Sequence, residues 1–187
     1  TDASEIPQVL KEAKYIATSG RPGPVLIDIP KDILNQKSDW IEPGPLELPG
    51  YKPTLDPNPK MIQQAANLIK NSKKPILYVG GGIIHSKANK ELFDLATKFN
   101  IPVVTTLMGR GAFPDGHELC LEMPGMHGNY TATTSIQKSD LLIAIGVRFD
   151  DRVTANPSFF AQNAKVIHAD IDPAEIGKVR EAQVPIV

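Results

Sequence analysis

The fold of this chain is decided by the stretch Ile76-Leu-Tyr-Val79-Gly80-Gly-Gly82, in which a short apolar strand runs directly into a glycine triplet. Around it, short apolar runs alternate with amphipathic helical patterns. The sequence predicts further strands at 103–105, 141–145 and 166–170 and helices at about 59–71, 87–99 and 129–137. This alternation predicts an α/β fold with a doubly wound, mostly parallel, Rossmann-like sheet.

The sequence before residue 56 has a different organisation. Apolar residues at helical spacing predict a helix over 4–18, and the apolar run 24–29 predicts a strand covered on both faces. Six prolines between Pro43 and Pro59 indicate an extended segment, since each fixes φ and removes a backbone donor. We therefore divide the chain into an appendage at 1–34, a proline-rich linker at 35–55 and an α/β domain at 56–187.

Composition excludes several classes of function. The 187 residues are 41% hydrophobic, enough for one domain with appendages, and the net charge of -1 gives no electrostatic footprint for nucleic acid or an anionic membrane. No apolar stretch is long enough to span a membrane, and no targeting segment is visible. The one cysteine, Cys120, excludes an internal disulfide. Zinc-ligand spacing, a nucleophile elbow and a Walker motif are all missing.

Candidate binding residues follow the predicted strands, because ligands of open α/β sheets bind at the carboxyl ends of the strands. Gly80–Gly82 could bring backbone amides close to a phosphate, or could simply form a tight turn. The run 105–111 offers hydroxyls and glycines to a nucleotide. The run 123–129 offers Met126 and His127 to a flat aromatic ligand.

Charged residues follow the last two strands. The loop 146–152 contains two arginines and two aspartates, which suits a pyrophosphate clamp or, alternatively, internal ion pairing. Asp170 follows strand 166–170 and could accept hydrogen bonds from a ribose. Asp172-Pro173 could instead cap a helix predicted at 174–180.

With these motifs the chain resembles the catalytic subunits of the acetohydroxyacid (acetolactate) synthase family. The resemblance is carried by Gly20-Arg-Pro-Gly-Pro-Val-Leu-Ile-Asp-Ile-Pro-Lys-Asp-Ile33, Thr105-Thr-Leu-Met-Gly109, Gly125-Met-His-Gly128, Gly146-Val-Arg-Phe-Asp-Asp-Arg-Val-Thr154 and His168-Ala-Asp-Ile-Asp-Pro173. The first motif is shared widely among thiamine-diphosphate enzymes, and the third and fourth are more selective. Arg110, Glu122 and Pro124 depart from the family pattern.

The resemblance implies a C-terminally truncated FAD-binding central domain at 56–187, preceded by the tail of a pyrimidine-binding domain at 1–34. The implied FAD contacts are Arg21, Gly80, Gly81, Gly82, Thr106, Leu107, Met108, Gly125, Met126, His127, Gly146, Arg148, Asp150, Arg152, Val153, Asp170 and Ile171. Residues implied near the substrate channel are Lys31, Asp151 and Arg152. No catalytic residue or metal ligand is expected within the fragment.

The resemblance also implies an activity for the full-length subunit. Such an enzyme decarboxylates pyruvate and joins the hydroxyethyl unit to a second 2-ketoacid in branched-chain amino acid biosynthesis, with thiamine diphosphate and Mg²⁺ bound outside this fragment. It implies a homodimer or tetramer, possible association with a regulatory subunit, and a cytoplasmic or organellar location. Alternatives are the central domain of a flavin-dependent pyruvate oxidase or glyoxylate carboligase, or a stand-alone nucleotide-binding module.

Overall fold

A computed structural model describes residues 2–187, which form two compact units, one running up to Leu55 and the other from Asp56 to Val187. The first unit begins with a 3-10 turn, Ala3–Glu5, that leads into helix α1, Ile6–Thr18, and it contains a second short helix, α2, Lys31–Leu34. This confirms the helix predicted over 4–18. The prolines after residue 43 lead the chain back along α1, where Tyr51 packs edge-on against Tyr15 at 5.9 Å.

The strand predicted at 24–29 is wrong. Residues 22–30 form neither helix nor strand, and Leu26 is 87% exposed. A strand is stabilised only by hydrogen bonds to a neighbouring strand, and the described part of this unit contains no strand that could pair with it. An apolar, β-branched run is therefore present without the sheet that it requires.

The second unit is built on a five-stranded, fully parallel sheet. Its strands are β1, Pro75–Val79; β2, Val103–Thr105; β3, Leu141–Ile145; β4, Lys165–Ala169; and β5, Val184–Ile186. The order across the sheet is β2-β1-β3-β4-β5. The predicted α/β class with a parallel, Rossmann-like sheet is confirmed.

Helices cover both faces of this sheet. The helices are α3, Pro59–Asn71; α4, Gly81–His85; α5, Asn89–Phe99; α6, Tyr130–Lys138; and α7, Asp151–Thr154. Alternate residues of β1 point to opposite faces, so Leu77 packs in one core with Leu92 and Ala96 of α5, while Tyr78 packs in the other with Ile136 of α6. Each face has its own apolar core, which is the doubly wound arrangement.

Three local features differ from the sequence-based expectations. The helix predicted at 174–180 is wrong: the segment forms successive turns, and Gly177 interrupts them with φ +76°. The short helix α4 and the edge strand β5 were not predicted. β5 contains Pro185, which a parallel sheet tolerates at its edge because only one side of the strand needs ladder hydrogen bonds.

Candidate functional site

The strand order places a topological switch point between β1 and β3. From β1 the chain crosses to β2 on one side, whereas from β3 it continues to β4 on the other side. The loops that follow these two central strands therefore diverge at the carboxyl edge of the sheet, where open α/β sheets bind ligands. The loops after β1 and β3 are those that begin with Gly80 and Gly146.

The glycines of these two loops are in direct backbone contact. The amide of Gly80 donates to the carbonyl of Ile145 at 3.1 Å, and the amide of Gly82 donates to that of Gly146 at 3.0 Å. A Cβ at Gly82 would lie 2.5 Å from the Cα of Gly146. Gly80 and Gly82 are thus required for close packing of the loops, and both of their amides already have protein acceptors.

The loop after β2 packs against the glycine triplet. Thr106 donates its amide to the carbonyl of Val79 at 2.8 Å, and its hydroxyl accepts from the amide of Gly109 at 3.1 Å, which caps a 3-10 turn at Leu107–Gly109. Beside this turn, Met108 approaches Gly81, where a Cβ would lie 3.3 Å from the Met108 Cβ. Leu107 and Met108 are each 72% exposed, an unusual position for two large apolar side chains.

A pocket of about 340 Å³ opens beside this turn. It is lined by Leu107, Arg110, Glu122, Met123, His127, Gly128 and Asn129. The structure thus brings the second and third predicted loops to one cavity. Arg110 is held at its rim by Asp115, with the two charged groups 2.8 Å apart.

The loop 123–129 is also hydrogen-bonded to the loop 146–152 that follows β3, which we call the charged loop. Met126 donates its amide to the carbonyl of Arg152 at 2.9 Å. Gly125 has φ +94°, and a Cβ there would lie 2.6 Å from the same carbonyl oxygen. Gly125 is required at this contact, because a side chain would push the two loops apart. Val153, half-buried, packs beneath Gly125 and against the core.

The charged loop presents both arginines to solvent. Arg148 lies 3.4 Å from Asp150, and Arg152 lies 3.7 Å from Asp151. The second pair is largely exposed, whereas in the first Arg148 is exposed and Asp150 is half-buried. The Asp150 carboxylate also caps helix α7 by accepting from the amide of Arg152 at 3.1 Å. This amide, a hydrogen bond with Asp151 and the charge of Arg148 lower the pKa of Asp150. Exposed ion pairs of this kind contribute little stability, so an anionic ligand could replace either carboxylate.

Asp170, the acidic residue that follows β4, uses part of its hydrogen-bonding capacity within its own turn. Asp170 accepts from the amide of Asp172 at 2.9 Å and donates its amide to the carbonyl of Ile186 in β5 at 3.0 Å. Ile171 follows it, half-buried. Asp172 in turn accepts from the amide of Ala174 at 3.0 Å, so it caps the turns that replace the predicted helix.

The structure gathers most of the predicted flavin residues at this one edge, with two exceptions among the site residues. Arg21 follows α1, and Lys31 is the exposed first residue of α2, so both belong to the first unit. Within residues 2–187 no group of three or more metal-ligating side chains and no helix able to cross a membrane is found.

Two residues at this edge, Asn129 and His168, were not predicted from the sequence. Asn129 caps α6 by accepting from the amide of Ala132 at 2.7 Å, and it lines the pocket. Its position after a glycine and before a helix was the available signal. His168, fully buried in β4, contacts the carbonyl of Val147 at 2.9 Å. A histidine within a short apolar strand carries no comparable signal.

Comparisons with known proteins show which family the chain is similar to. The family model described as "Thiamine pyrophosphate enzyme, central domain" matches residues 62–187. The chain is 56% identical, over its whole length, to 30% of the acetolactate synthase large subunit of Corynebacterium glutamicum. It is 59% identical, over 98% of its length, to 30% of the acetolactate synthase large subunit of Mycobacterium tuberculosis. Over 99% of its length it is 52% identical to 28% of the chloroplastic acetolactate synthase 2 of Nicotiana tabacum. The chain thus spans about 30% of the length of these relatives.

Proposed function

The chain belongs to the thiamine pyrophosphate enzyme family, whose central domain it contains, and we propose that it is part of an acetolactate synthase large subunit. That subunit decarboxylates pyruvate and transfers the hydroxyethyl unit to a second 2-ketoacid on the route to valine, leucine and isoleucine. Identity above 50% across nearly the whole chain, to relatives from bacteria and a plant, is the observation that carries the proposal.

Within that subunit we assign FAD binding to the carboxyl edge of the sheet. Two features of the edge fit a flavin nucleotide. The exposed apolar side chains Leu107, Met108 and Met126 offer a surface for a flat ring system. The exposed arginines Arg148 and Arg152 offer guanidinium groups to a pyrophosphate. Asp170 is assigned to the ribose.

The flavin has a structural role in this proposal. Carboligation of two ketoacids is redox-neutral, so FAD supplies no electrons to it. The chemistry belongs to thiamine diphosphate and Mg²⁺, whose binding residues we place outside this chain. The isolated chain is therefore expected to be inactive, and Arg152, Asp151 and Lys31 are assigned to the approach of the second ketoacid in the full-length enzyme.

The first unit fits the end of a preceding domain. None of its described residues is buried, and most of its apolar run at 24–29 is exposed, as expected if the partner strands belong to another part of the subunit. We assign 1–34 to the tail of the pyrimidine-binding domain, 35–55 to a linker and 56–187 to the central domain. The full-length enzyme is proposed to be a dimer or tetramer, with a regulatory subunit as a further partner.

Titration of the chain with FAD and, separately, with NAD tests the cofactor assignment. Flavin fluorescence and the shift in melting temperature report binding. We expect saturable FAD binding, weakened about 10- to 150-fold by Arg148→Ala or Arg152→Ala, since a charge-assisted contact is worth roughly 1.5–3 kcal/mol. Lys165→Ala, which removes an exposed charge at the opposite edge of the sheet, is the matched control. Preference for NAD would favour a stand-alone nucleotide-binding module.

A second assay separates acetolactate synthase from the other flavin-dependent members of the family. The full-length subunit, loaded with thiamine diphosphate, Mg²⁺ and FAD, is supplied with pyruvate or glyoxylate. Acetolactate formation without oxygen uptake supports the proposal. Oxygen-dependent consumption of pyruvate, or condensation of glyoxylate, would instead assign the domain to a pyruvate oxidase or a glyoxylate carboligase.

A further inference from the structure

His168 is a buried histidine that makes none of the proposed flavin contacts. It lies in β4 with no exposed surface, between Ala144 of β3 and Pro185 of β5. Its Nε2 is 2.9 Å from the carbonyl oxygen of Val147, while its buried Nδ1 has no hydrogen-bond partner within residues 2–187. A carbonyl can only accept, so Nε2 carries the proton and donates it to Val147.

The same imidazole makes a second contact two residues further along the charged loop. Its ring meets that of Phe149 edge-on, at 5.1 Å between centroids and 90° between planes. Val147 and Phe149 are both buried, whereas Arg148 between them is exposed. His168 therefore holds the backbone on one side of Arg148 and the aromatic ring on the other.

We propose that His168 is a positioning residue, which fixes residues 147–149 so that Arg148 is presented to the anionic part of a bound nucleotide. The ring acts in its neutral form. Burial lowers the pKa of His168, opposed by the hydrogen bond to Val147 and by the charges of Asp170 and Glu175. The identity of the ligand as FAD rests on the proposed function, whereas the hold on the loop does not depend on any ligand.

Three variants test this role. His168→Gln keeps a donor at the end of a side chain of similar reach, His168→Leu removes the donor while filling the space, and Val166→Ala weakens the same face of β4 two residues away. Amide hydrogen exchange of 147–152 in the ligand-free chain is measured under conditions where all three remain folded. FAD affinity is measured in parallel.

In His168→Leu we expect amide exchange in 147–152 to accelerate about five- to tenfold, which is the factor expected from the loss of one ordinary hydrogen bond. FAD affinity should fall by a similar factor. His168→Gln should restore both, and Val166→Ala should lower the melting temperature while leaving both unchanged. Equal protection in the Leu and Gln variants would overturn the proposal. If the wild-type chain binds no FAD, the exchange experiment still decides the role of His168, and only the proposed cofactor is refuted.

Discussion

Gly82→Ala should destabilise the α/β unit through a backbone clash at the switch point. The new Cβ would lie 2.5 Å from the Cα of Gly146 and 3.1 Å from its carbonyl oxygen. Carbon atoms pack at roughly 3.5–4.0 Å, so the two loops must separate by about 1 Å. Overpacking of this kind costs about 1–3 kcal/mol, and loss of the Gly82 to Gly146 hydrogen bond costs about 1 kcal/mol more.

An opposing effect reduces the expected loss. Gly82 lies in helix α4, where alanine is favoured over glycine by about 0.5–1 kcal/mol. The net expectation is a loss of about 1–3.5 kcal/mol, measured as a lower urea midpoint at constant m-value. Gly116→Ala is the matched control, because nothing lies within 4 Å of its Cβ position and it should change stability by less than about 0.5 kcal/mol.

The same pair of variants distinguishes packing from ligand binding as the reason for the glycine triplet. If Gly82→Ala is as stable as the wild type and yet loses FAD, the glycine serves the ligand and the packing argument is refuted. If stability and affinity fall together while Gly116→Ala keeps both, the glycine serves the contact between the loops.

Three further predictions concern the scaffold. The carboxylate of Asp140 accepts hydrogen bonds from the Ser72 hydroxyl and from the Lys73 and Lys74 amides. Asp140→Ala should therefore lower the free energy of unfolding in urea by about 1–2 kcal/mol. Asp140→Asn retains the Oδ1 contacts and should cost about half as much. Desolvation opposes these hydrogen bonds, yet the pKa of Asp140 is lowered below the usual 3.8 of an aspartate. Its contribution to stability should therefore be present above pH 3.8 and disappear as the pH falls through the pKa of the folded state. The acid titration of Asp140→Ala should lack this loss. For His168, whose pKa is lowered from 6.5, unfolding free energy should fall as the pH drops below about 6.5, and His168→Gln should flatten this part of the profile in thermal melts. Lys87 is exposed with φ +58°, so Lys87→Gly should raise stability by about 0.5–1 kcal/mol whereas Lys87→Ala should not; equal midpoints for the two would refute the backbone argument.

Local pattern determined most of the α/β unit. The helix predicted at 59–71 is observed as Pro59–Asn71, and the strands predicted at 103–105 and 141–145 have the predicted bounds. Each element has its own apolar periodicity or run, so each could be recognised without its neighbours. The same pattern brings the predicted binding loops to one edge, since the loops that follow the strands of a parallel sheet share an edge.

Only the tertiary structure decided the features that depend on a partner distant in sequence. The apolar strands resemble one another, so their order, and with it the switch point between β1 and β3, could not be derived from them. The run 24–29 shows the converse, because its strand-like sequence forms no strand where nothing pairs with it. His168 acquires its role only because folding brings the Val147 carbonyl to its ring. Side-chain pattern records what a residue prefers to bury, whereas hydrogen bonds between segments depend on which backbone groups the fold brings within reach.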